Sequence, residues 1–196
     1  MKKILFGLWV VAGFIACSGS TDHDDLSYAL EIVSGWNALA NAHNDSAIIY
    51  FENAINFDSN SAIAFAGLGW AEMRLNDLNA AAETFQRGST KHPVPSDLFA
   101  GWAFLLNAMK NYATSNSVAD SALAIDAGWE FTVQSAINWQ DLTITKAANY
   151  YALGDYVTCL EEVKILNPDF VVNIGTDIGQ AALGAEIERL RGILAD

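Results

Sequence analysis

Few residues in this chain have the type and spacing that chemistry requires. His23, His43 and His92 are isolated from one another, whereas a structural or catalytic metal needs ligands at close spacing. The acidic run 22–25 could attract a divalent ion, but helix capping by an aspartate is the use that the sequence favours. The sequence contains neither a nucleophile elbow nor a glycine loop that cradles phosphate. These observations predict a protein that is not an enzyme and holds no cofactor and no metal.

The two cysteines have different predicted roles. Cys17 follows an apolar N-terminal run, whereas Cys159 lies inside a mixed stretch at 156–160. If Cys17 is modified, the single remaining thiol forms no internal disulfide. Buried cysteine behaves as a small hydrophobic residue, so we expect Cys159 to pack in the core.

The N-terminus has the pattern of an export signal. Two lysines precede an apolar run at 4–15, which is too short to span a bilayer comfortably. The run leads into the tetrapeptide Phe14-Ile15-Ala16-Cys17, which resembles the lipobox of bacterial lipoproteins, although Phe14 replaces the usual leucine. The resemblance implies a signal peptide at 1–16 and lipidation, including palmitate, at Cys17.

A lipid on Cys17 implies an anchor in the bacterial cell envelope. Two or three acyl chains, at about 0.8 kcal/mol for each buried methylene, make such an attachment effectively permanent. Ser18, rather than aspartate, resembles the signal that sorts lipoproteins to the outer membrane, facing the periplasm. The polar and acidic stretch 17–25 is predicted to be a short tether. The alternative is ordinary cleavage near residues 18–20, which releases a soluble protein.

The charge of the chain restricts its partners. The sequence has 23 acidic and 10 basic side chains, a formal net charge of −13, and two of the bases belong to the predicted leader. Such a surface repels phosphate backbones, so we expect no nucleic-acid binding. It also opposes a domain that lies flat on anionic lipid, which leaves the N-terminal lipid as the expected membrane contact.

The chain repeats itself at a constant interval. Trp36 recurs as Trp70, and three further pairs share the same interval: Gly35 with Gly69, Ala47 with Ala81, and Phe51 with Phe85. A period of about 34 residues is typical of a helix-turn-helix unit that buries its apolar face by stacking on copies of itself. The sequence therefore predicts an α-solenoid.

The repeats resemble the tetratricopeptide-repeat (TPR) family. The clearest unit runs through Ala147–Tyr156 and continues to Cys159 and Leu160, matching the first-helix end, the Gly-Asp-Tyr turn and the second-helix start of the family. Gly154 suits a left-handed helix end, and Asp155 suits a cap on the helix that follows. Trp102 follows Trp70 at nearly the same interval and marks the predicted start of a third unit, whose second half at 115–126 is expected to slip out of register.

The resemblance covers residues 26–168 and implies an all-α fold. We expect about four TPR-like helix pairs wound into a right-handed superhelix with a concave groove. Pro93, Pro95 and Pro168 are expected to fall between helices. At 169–196 the sequence predicts an amphipathic capping helix, with the apolar stripe Leu183, Ile187, Leu190 and Leu194. A helix folded back into the groove is the alternative.

The same resemblance implies a candidate partner-binding groove. In the family, the residue after the small residue of the first helix points into the groove, which makes Trp36, Trp70 and Trp102 a ladder. Arg74 lies one turn beyond Trp70, and Tyr151 is a candidate fourth member. Stacked aromatics beside an arginine are typical of a hot-spot surface. The alternative is that these rings fill space between successive units, since each can bury a large apolar area.

These features together predict a non-enzymatic, lipid-anchored TPR-like scaffold. Its expected partner is an envelope protein or a peptide segment in the concave groove, and the resemblance implies a role as an assembly factor. The competing hypothesis is a glycan-binding or small-molecule-binding lipoprotein in which the tryptophan ladder stacks on sugar rings. A weaker third possibility is an accessory subunit of an envelope enzyme.

Overall fold

The computed structural model describes residues 21–134 and 136–195, and this part of the chain is built from α-helices. The predicted signal peptide at 1–16 and Cys17 lie outside the described residues. Helix α1 begins at Thr21, within the segment predicted as a tether, and the rest of that segment is not described. The helices are α1 (Thr21–Ala40), α2 (Asn44–Phe57), α3 (Ala62–Arg74), α4 (Leu78–Gly88), α5 (Ser96–Ala108), α6 (Tyr112–Ile125), α7 (Trp139–Leu153), α8 (Tyr156–Leu166) and α9 (Asp177–Ala195).

The helices α1 to α8 form four units, each a pair of helices joined by a tight turn. Every helix packs against its partner in the pair, and the first helix of the second, third and fourth units also packs against the unit before it. Burial is therefore shared between neighbouring units, as a solenoid requires. The predicted all-α fold with about four helix pairs and a final helix is confirmed.

The turns inside the units show the repeat most clearly. Ala42, Asn76 and Lys110 each adopt a left-handed backbone conformation, with φ of 58°, 62° and 61°, and they are separated by the same interval as Trp36 and Trp70. Gly154, with φ of 77°, is the equivalent residue of the fourth unit, but it lies farther along the chain than this interval requires. The excess is ten residues, and it lies in the connection between α6 and α7.

This register corrects two expectations for the third unit. Ser115 is buried like Ala81 and follows it at the full repeat interval, so the segment 115–126 does not slip out of register. Trp102 is the residue out of step, because Phe104 holds the position that is one full interval after Trp70. The tryptophan is one of several aromatics in α5, and its identity does not mark the repeat position.

Glycine and phenylalanine form a matched contact in the first two units. A Cβ atom built on Gly35 would lie 2.7 Å from the Phe51 ring, and one on Gly69 would lie 2.6 Å from the Phe85 ring. Only a residue without a side chain lets the two helices of the pair approach this closely. The third and fourth units have smaller pairs at the same positions, all of them buried: Ala103 with Ala119, and Ala147 with Val163.

The helix ends agree with the sequence-based predictions. Gly154 ends α7 in the left-handed conformation, and the Asp155 side chain accepts a hydrogen bond from the Thr158 backbone N–H at the start of α8. Pro93 and Pro95 lie between α4 and α5, and α8 ends immediately before Asn167.

Helix α9 covers the end of the solenoid. Leu183, Ile187 and Leu190 are buried against the fourth unit, together with Cys159 and Val163 of α8. The helix packs on α7 and α8, as the first helix of a fifth unit would. The predicted capping role is confirmed. Among the described helices, none is both long and apolar enough to cross a membrane.

Candidate functional site

The candidate site is the surface formed by the first helices of the units, which we call the inner face. Residues at equivalent repeat positions on this surface are Trp36 in α1, Trp70 in α3, Phe104 in α5 and Ala148 in α7. The first three are aromatic and form one wall, whereas Ala148 leaves space. The inner face is therefore divided into an aromatic wall, made by Trp36, Trp70 and Phe104, and a recessed part beside α7.

Trp70 lies at the centre of the aromatic wall. Its side chain is only 2% exposed, and its indole Nε1 donates a hydrogen bond of 2.9 Å to the Asp97 carbonyl oxygen in α5. The indole stacks on the ring of Phe131, with centroids 4.2 Å apart and an interplanar angle of 18°. The Phe104 ring lies beside the Trp70 indole, with ring centroids 6.2 Å apart. The outer surface of this wall is therefore covered by a residue from another part of the chain.

Trp36 and Trp102 have different surroundings. Trp36 is half-buried and makes edge contacts with Phe51 at 5.1 Å and with Phe131 at 6.2 Å. Trp102 is also half-buried and packs against the core of the first three units. The structure thus brings Trp36 and Trp70 together on one wall, while Phe104 occupies the ladder position predicted for Trp102.

Arg74 forms hydrogen bonds both with the first unit and with the connection between α6 and α7. One guanidinium nitrogen donates a 2.7 Å hydrogen bond to the Leu39 carbonyl oxygen, and the other donates a 3.0 Å bond to Oε1 of Gln134. The guanidinium also lies 5.9 Å from the centroid of the Phe131 ring, within the range of a cation–π contact. Partial burial lowers the pKa of Arg74 from its usual value.

The covering segment is the connection between α6 and α7, described at residues 126–134 and 136–138, which we call the covering loop. Its main chain is bonded to itself: the Phe131 N–H donates to the Ile137 carbonyl, and the Trp139 N–H donates to the Trp129 carbonyl. An isolated antiparallel bridge joins Glu130 to Asn138. These bonds give the loop a defined shape without any regular element.

Trp129 anchors the covering loop to α5. Its side chain is buried, and its indole Nε1 donates a 2.7 Å hydrogen bond to the Asp97 carboxylate. Burial raises the pKa of Asp97, and the bond from Trp129 opposes part of that rise. The sequence predictions did not include this loop. The signals that could have found it are the ten residues in excess of the repeat and the two large aromatics, Trp129 and Phe131, inside them.

The recessed part of the inner face is an open cavity with a volume of about 460 Å³. Ala148 and Ala152 of α7 line it together with Tyr151, and α9 contributes Gly184, whose missing side chain leaves room for the Tyr151 ring. Tyr151 therefore lies apart from the tryptophans, in a different part of the inner face. The remaining lining residues come from α5, α6, the turn between them and α9: Asn107, Ala108, Lys110, Tyr112, Ile187, Glu188 and Arg191.

Comparison with solved structures identifies the architecture. No protein-family model and no curated protein matches this chain. Its structure is similar to that of MamA, with a TM-score of 0.61 at 14% identity over 87% of this chain and 91% of that one. It is also similar to YrrB, described as a TPR protein with an unusual peptide-binding site, with a TM-score of 0.61 at 13% identity over 83% of this chain and 75% of that one. This chain has the tetratricopeptide-repeat fold.

A further similar structure agrees with this assignment. A tetratricopeptide repeat protein from Parabacteroides merdae ATCC 43184 has a TM-score of 0.59 at 15% identity, over 87% of this chain and 63% of that one. In tetratricopeptide terms, the covering loop of the present chain is an insertion between the third and fourth repeats, and it lies on the surface lined by the first helices.

The charges around the cavity distinguish it from the rest of an acidic chain. Arg191 forms a 3.0 Å ion pair with Glu188 on the exposed side of α9. Lys110, in the left-handed turn of the third repeat, is exposed and forms no ion pair with any residue that the structure describes. The cavity therefore combines two tyrosine rings, small apolar residues and one uncompensated positive charge.

Reactive and metal-binding groups are not gathered at this site. In the part of the chain that the structure describes, no group of three or more histidine, cysteine, aspartate or glutamate side chains could hold a metal ion. Cys159 is buried in α8, as predicted, and burial raises the pKa of its thiol to about 12. The thiol is therefore protonated at neutral pH, which suits packing rather than nucleophilic chemistry.

Proposed function

We propose that this protein is a non-enzymatic scaffold that binds a peptide segment of another envelope protein on its inner face. The observation that carries the proposal is that the aromatic wall already holds a non-helical segment of the chain. The segment is bound by stacking of Phe131 on Trp70 and by the hydrogen bond from Arg74 to Gln134. Stacking and arginine hydrogen bonds are the interactions that concentrate binding energy at protein interfaces.

The open cavity supplies the accessible part of the same surface. Tyr112 and Tyr151 offer aromatic contact area, and Lys110 offers an unpaired charge to a carboxylate of the partner. Aromatic residues are enriched at interfaces because they bury much area at little conformational cost. A sugar ring has no free face of Trp70 on which to stack while Phe131 covers it, so a protein segment fits the present geometry better than a glycan.

The proposal includes attachment to the membrane through a lipid on Cys17. The tetrapeptide at 14–17 supports it, together with the charged and apolar leader before it. We propose that the domain faces the periplasm from the outer membrane. Metabolic labelling with a palmitate analogue is expected to tag the wild-type protein and not the Cys17→Ser variant. Equal labelling of both would contradict lipidation at this residue.

Co-purification from cells tests the binding function. The affinity-tagged full-length protein is crosslinked in intact cells, extracted in detergent and analysed by mass spectrometry. One stoichiometric partner is expected, and its recovery is expected to fall when Ala152→Trp fills the cavity. Val157→Trp is the matched control, because Val157 is 61% exposed on α8 and does not line the cavity. Equal recovery with both variants would contradict binding at the inner face.

A further inference from the structure

The covering loop is longer than the fold requires. The chain passes from α2 to α3 through residues 58–61, and from α4 to α5 through residues 89–95. The passage from α6 to α7 makes the same structural connection and uses ten residues more than the repeat needs. Connections of more than about 12 residues without regular structure are uncommon inside compact domains and are usually functional. The excess therefore needs an explanation other than joining two helices.

The covering loop is held against the inner face by side chains. The backbone hydrogen bonds described for residues 126–134 and 136–138 have their partners within the loop or at the adjoining ends of α6 and α7. The contacts with α1, α3 and α5 include those of the Trp129, Phe131 and Gln134 side chains. Val133 and Ile137 also pack against the core of the first three units. The loop therefore binds the repeats as a peptide ligand does, through a few anchoring side chains.

The loop divides into a fixed stem and a tip. The stem is Trp129 and Trp139, joined by a 2.7 Å backbone hydrogen bond, with Trp129 also bonded to the Asp97 carboxylate. The tip comprises the described residues 131–134, 136 and 137. It contacts the aromatic wall through Phe131, and its Ile137 lies beside Trp70 and Phe104. Moving the tip away from the wall separates Phe131 from Trp70 and Gln134 from Arg74, and it leaves the stem bonds intact.

We propose that the tip is an internal ligand, which occupies the peptide-binding surface of the aromatic wall and is displaced by the partner. This inference rests on the proposed function and specifies the partner that the wall accepts. The partner segment carries an aromatic side chain that replaces Phe131 between Trp36 and Trp70. It also carries a hydrogen-bond acceptor three residues later, where Gln134 accepts from Arg74.

The chemistry of Arg74 predicts that a carboxylate is preferred at that second position. The guanidinium now donates to a neutral amide oxygen at 3.0 Å. The guanidinium is charged in either case, but a carboxylate acceptor adds the attraction between opposite charges, which the neutral amide oxygen lacks. A partner with the pattern aromatic-x-x-acid therefore has an advantage over the internal Gln134, which gives the partner a means of displacing the tip.

Peptide binding in trans tests this proposal directly. The probe is a fluorescent peptide with the sequence of residues 129–139, in which the position of Gln134 is glutamate. We expect the Phe131→Ala variant of the full chain to bind it about tenfold or more tightly than the wild type, because the internal competitor is weakened. The control probe, with alanine also at the Phe131 position, is expected not to bind.

A second variant tests the role of the acceptor. Probes with glutamate and with glutamine at position 134 are compared on Phe131→Ala and on the double variant Phe131→Ala/Arg74→Met. The preference for glutamate is expected in the first protein and not in the second. If Phe131→Ala retains its helical circular dichroism and binds neither probe, the proposal is wrong.

Amide hydrogen exchange on the wild-type chain provides a test that does not depend on the probe. The amides of Phe131 and Ile137, whose hydrogen bonds lie within the tip, are expected to exchange through a local opening that is insensitive to low denaturant. Amides of α3 are expected to exchange only through global unfolding. If the amides of the tip and those of α3 all exchanged only through global unfolding, the proposal that the tip is displaced would be wrong. A missing partner in cells, with peptide binding intact, would instead count against the proposed envelope function alone.

Discussion

Substitution of Gly69 by alanine tests the contact that sets the spacing of the helix pairs. The new Cβ would lie 2.6 Å from Cε1 of Phe85, which is shorter than real Cβ contacts allow. The ring has little freedom to move away, because it is fully buried and a Cβ on Gly101 would lie 2.7 Å from its Cζ atom. The glycines of α3 and α5, the first helices of two successive units, therefore confine the same ring.

The magnitude follows from two opposing effects. Alanine is favoured over glycine inside a helix by about 0.5–1 kcal/mol. Overpacking of a filled core costs about 1–3 kcal/mol. We therefore expect Gly69→Ala to lower the free energy of unfolding by about 1–2 kcal/mol. Gly192 is the matched control, because it lies in α9 with no atom within 4 Å of a built Cβ, and its change to alanine is expected to raise the stability by about 0.5–1 kcal/mol.

Chemical denaturation followed by far-UV circular dichroism measures both variants, and a double variant tests the cause. Phe85→Val added to Gly69→Ala reproduces the natural Ala147 and Val163 pair of the fourth repeat. The two changes are expected to cost less together than the sum of the single changes. If Gly69→Ala stabilised the protein as much as Gly192→Ala, the close helix approach would be refuted.

Three further predictions concern the fourth repeat. Asn149 is fully buried and forms hydrogen bonds with Asn107, Ser115 and Asn116. Asn149→Ala is therefore expected to lower the free energy of unfolding by about 2–3 kcal/mol in denaturant titrations. A neutral result would contradict a stabilising role for these hydrogen bonds. Burial alone would lower the pKa of Lys146, but hydrogen bonds and attraction from Asp120 and Glu162 outweigh it and raise the pKa. The stability that Lys146 contributes is therefore fully present below the lysine pKa of the unfolded chain, about 10.4, and is lost as pH rises through the higher folded pKa. The difference in unfolding free energy between the wild type and Lys146→Met is expected to shrink only above about pH 10.4. A difference that shrank between pH 6 and 9 would disprove the pairing. Cys159, with its pKa raised to about 12, is expected to react with a thiol reagent at pH 8 only on unfolding, and rapid labelling of the native protein would contradict its burial.

The parts of the fold that the sequence predicted are those set by contacts within a unit. The interval from Trp36 to Trp70, the left-handed turn at Gly154 and the cap at Asp155 are local or repeated features, and each has a physical preference that can be read from its residue type. The stripe on α9 was predictable for the same reason, because its apolar spacing follows the helical period.

The parts that the sequence did not predict depend on contacts between distant residues. Phe131 lies in the insertion between the third and fourth repeats and Trp70 lies in the second repeat. No residue type or spacing in the covering loop specifies that they stack. The residue type of Trp102 predicts a place in the ladder, but Phe104 holds the repeat position, because the interval and not the residue type fixes it. The role of Cys17 stays a prediction, since it lies outside the described residues.

Photo-crosslinking in living cells tests most directly whether the inner face is the binding surface. A benzophenone amino acid is placed at Ala152, which is exposed in the open cavity, and separately at Val157 on α8. We expect irradiation to yield one defined adduct with another protein from position 152 and none from position 157. Adducts from position 157 alone, with none from position 152, would contradict the account.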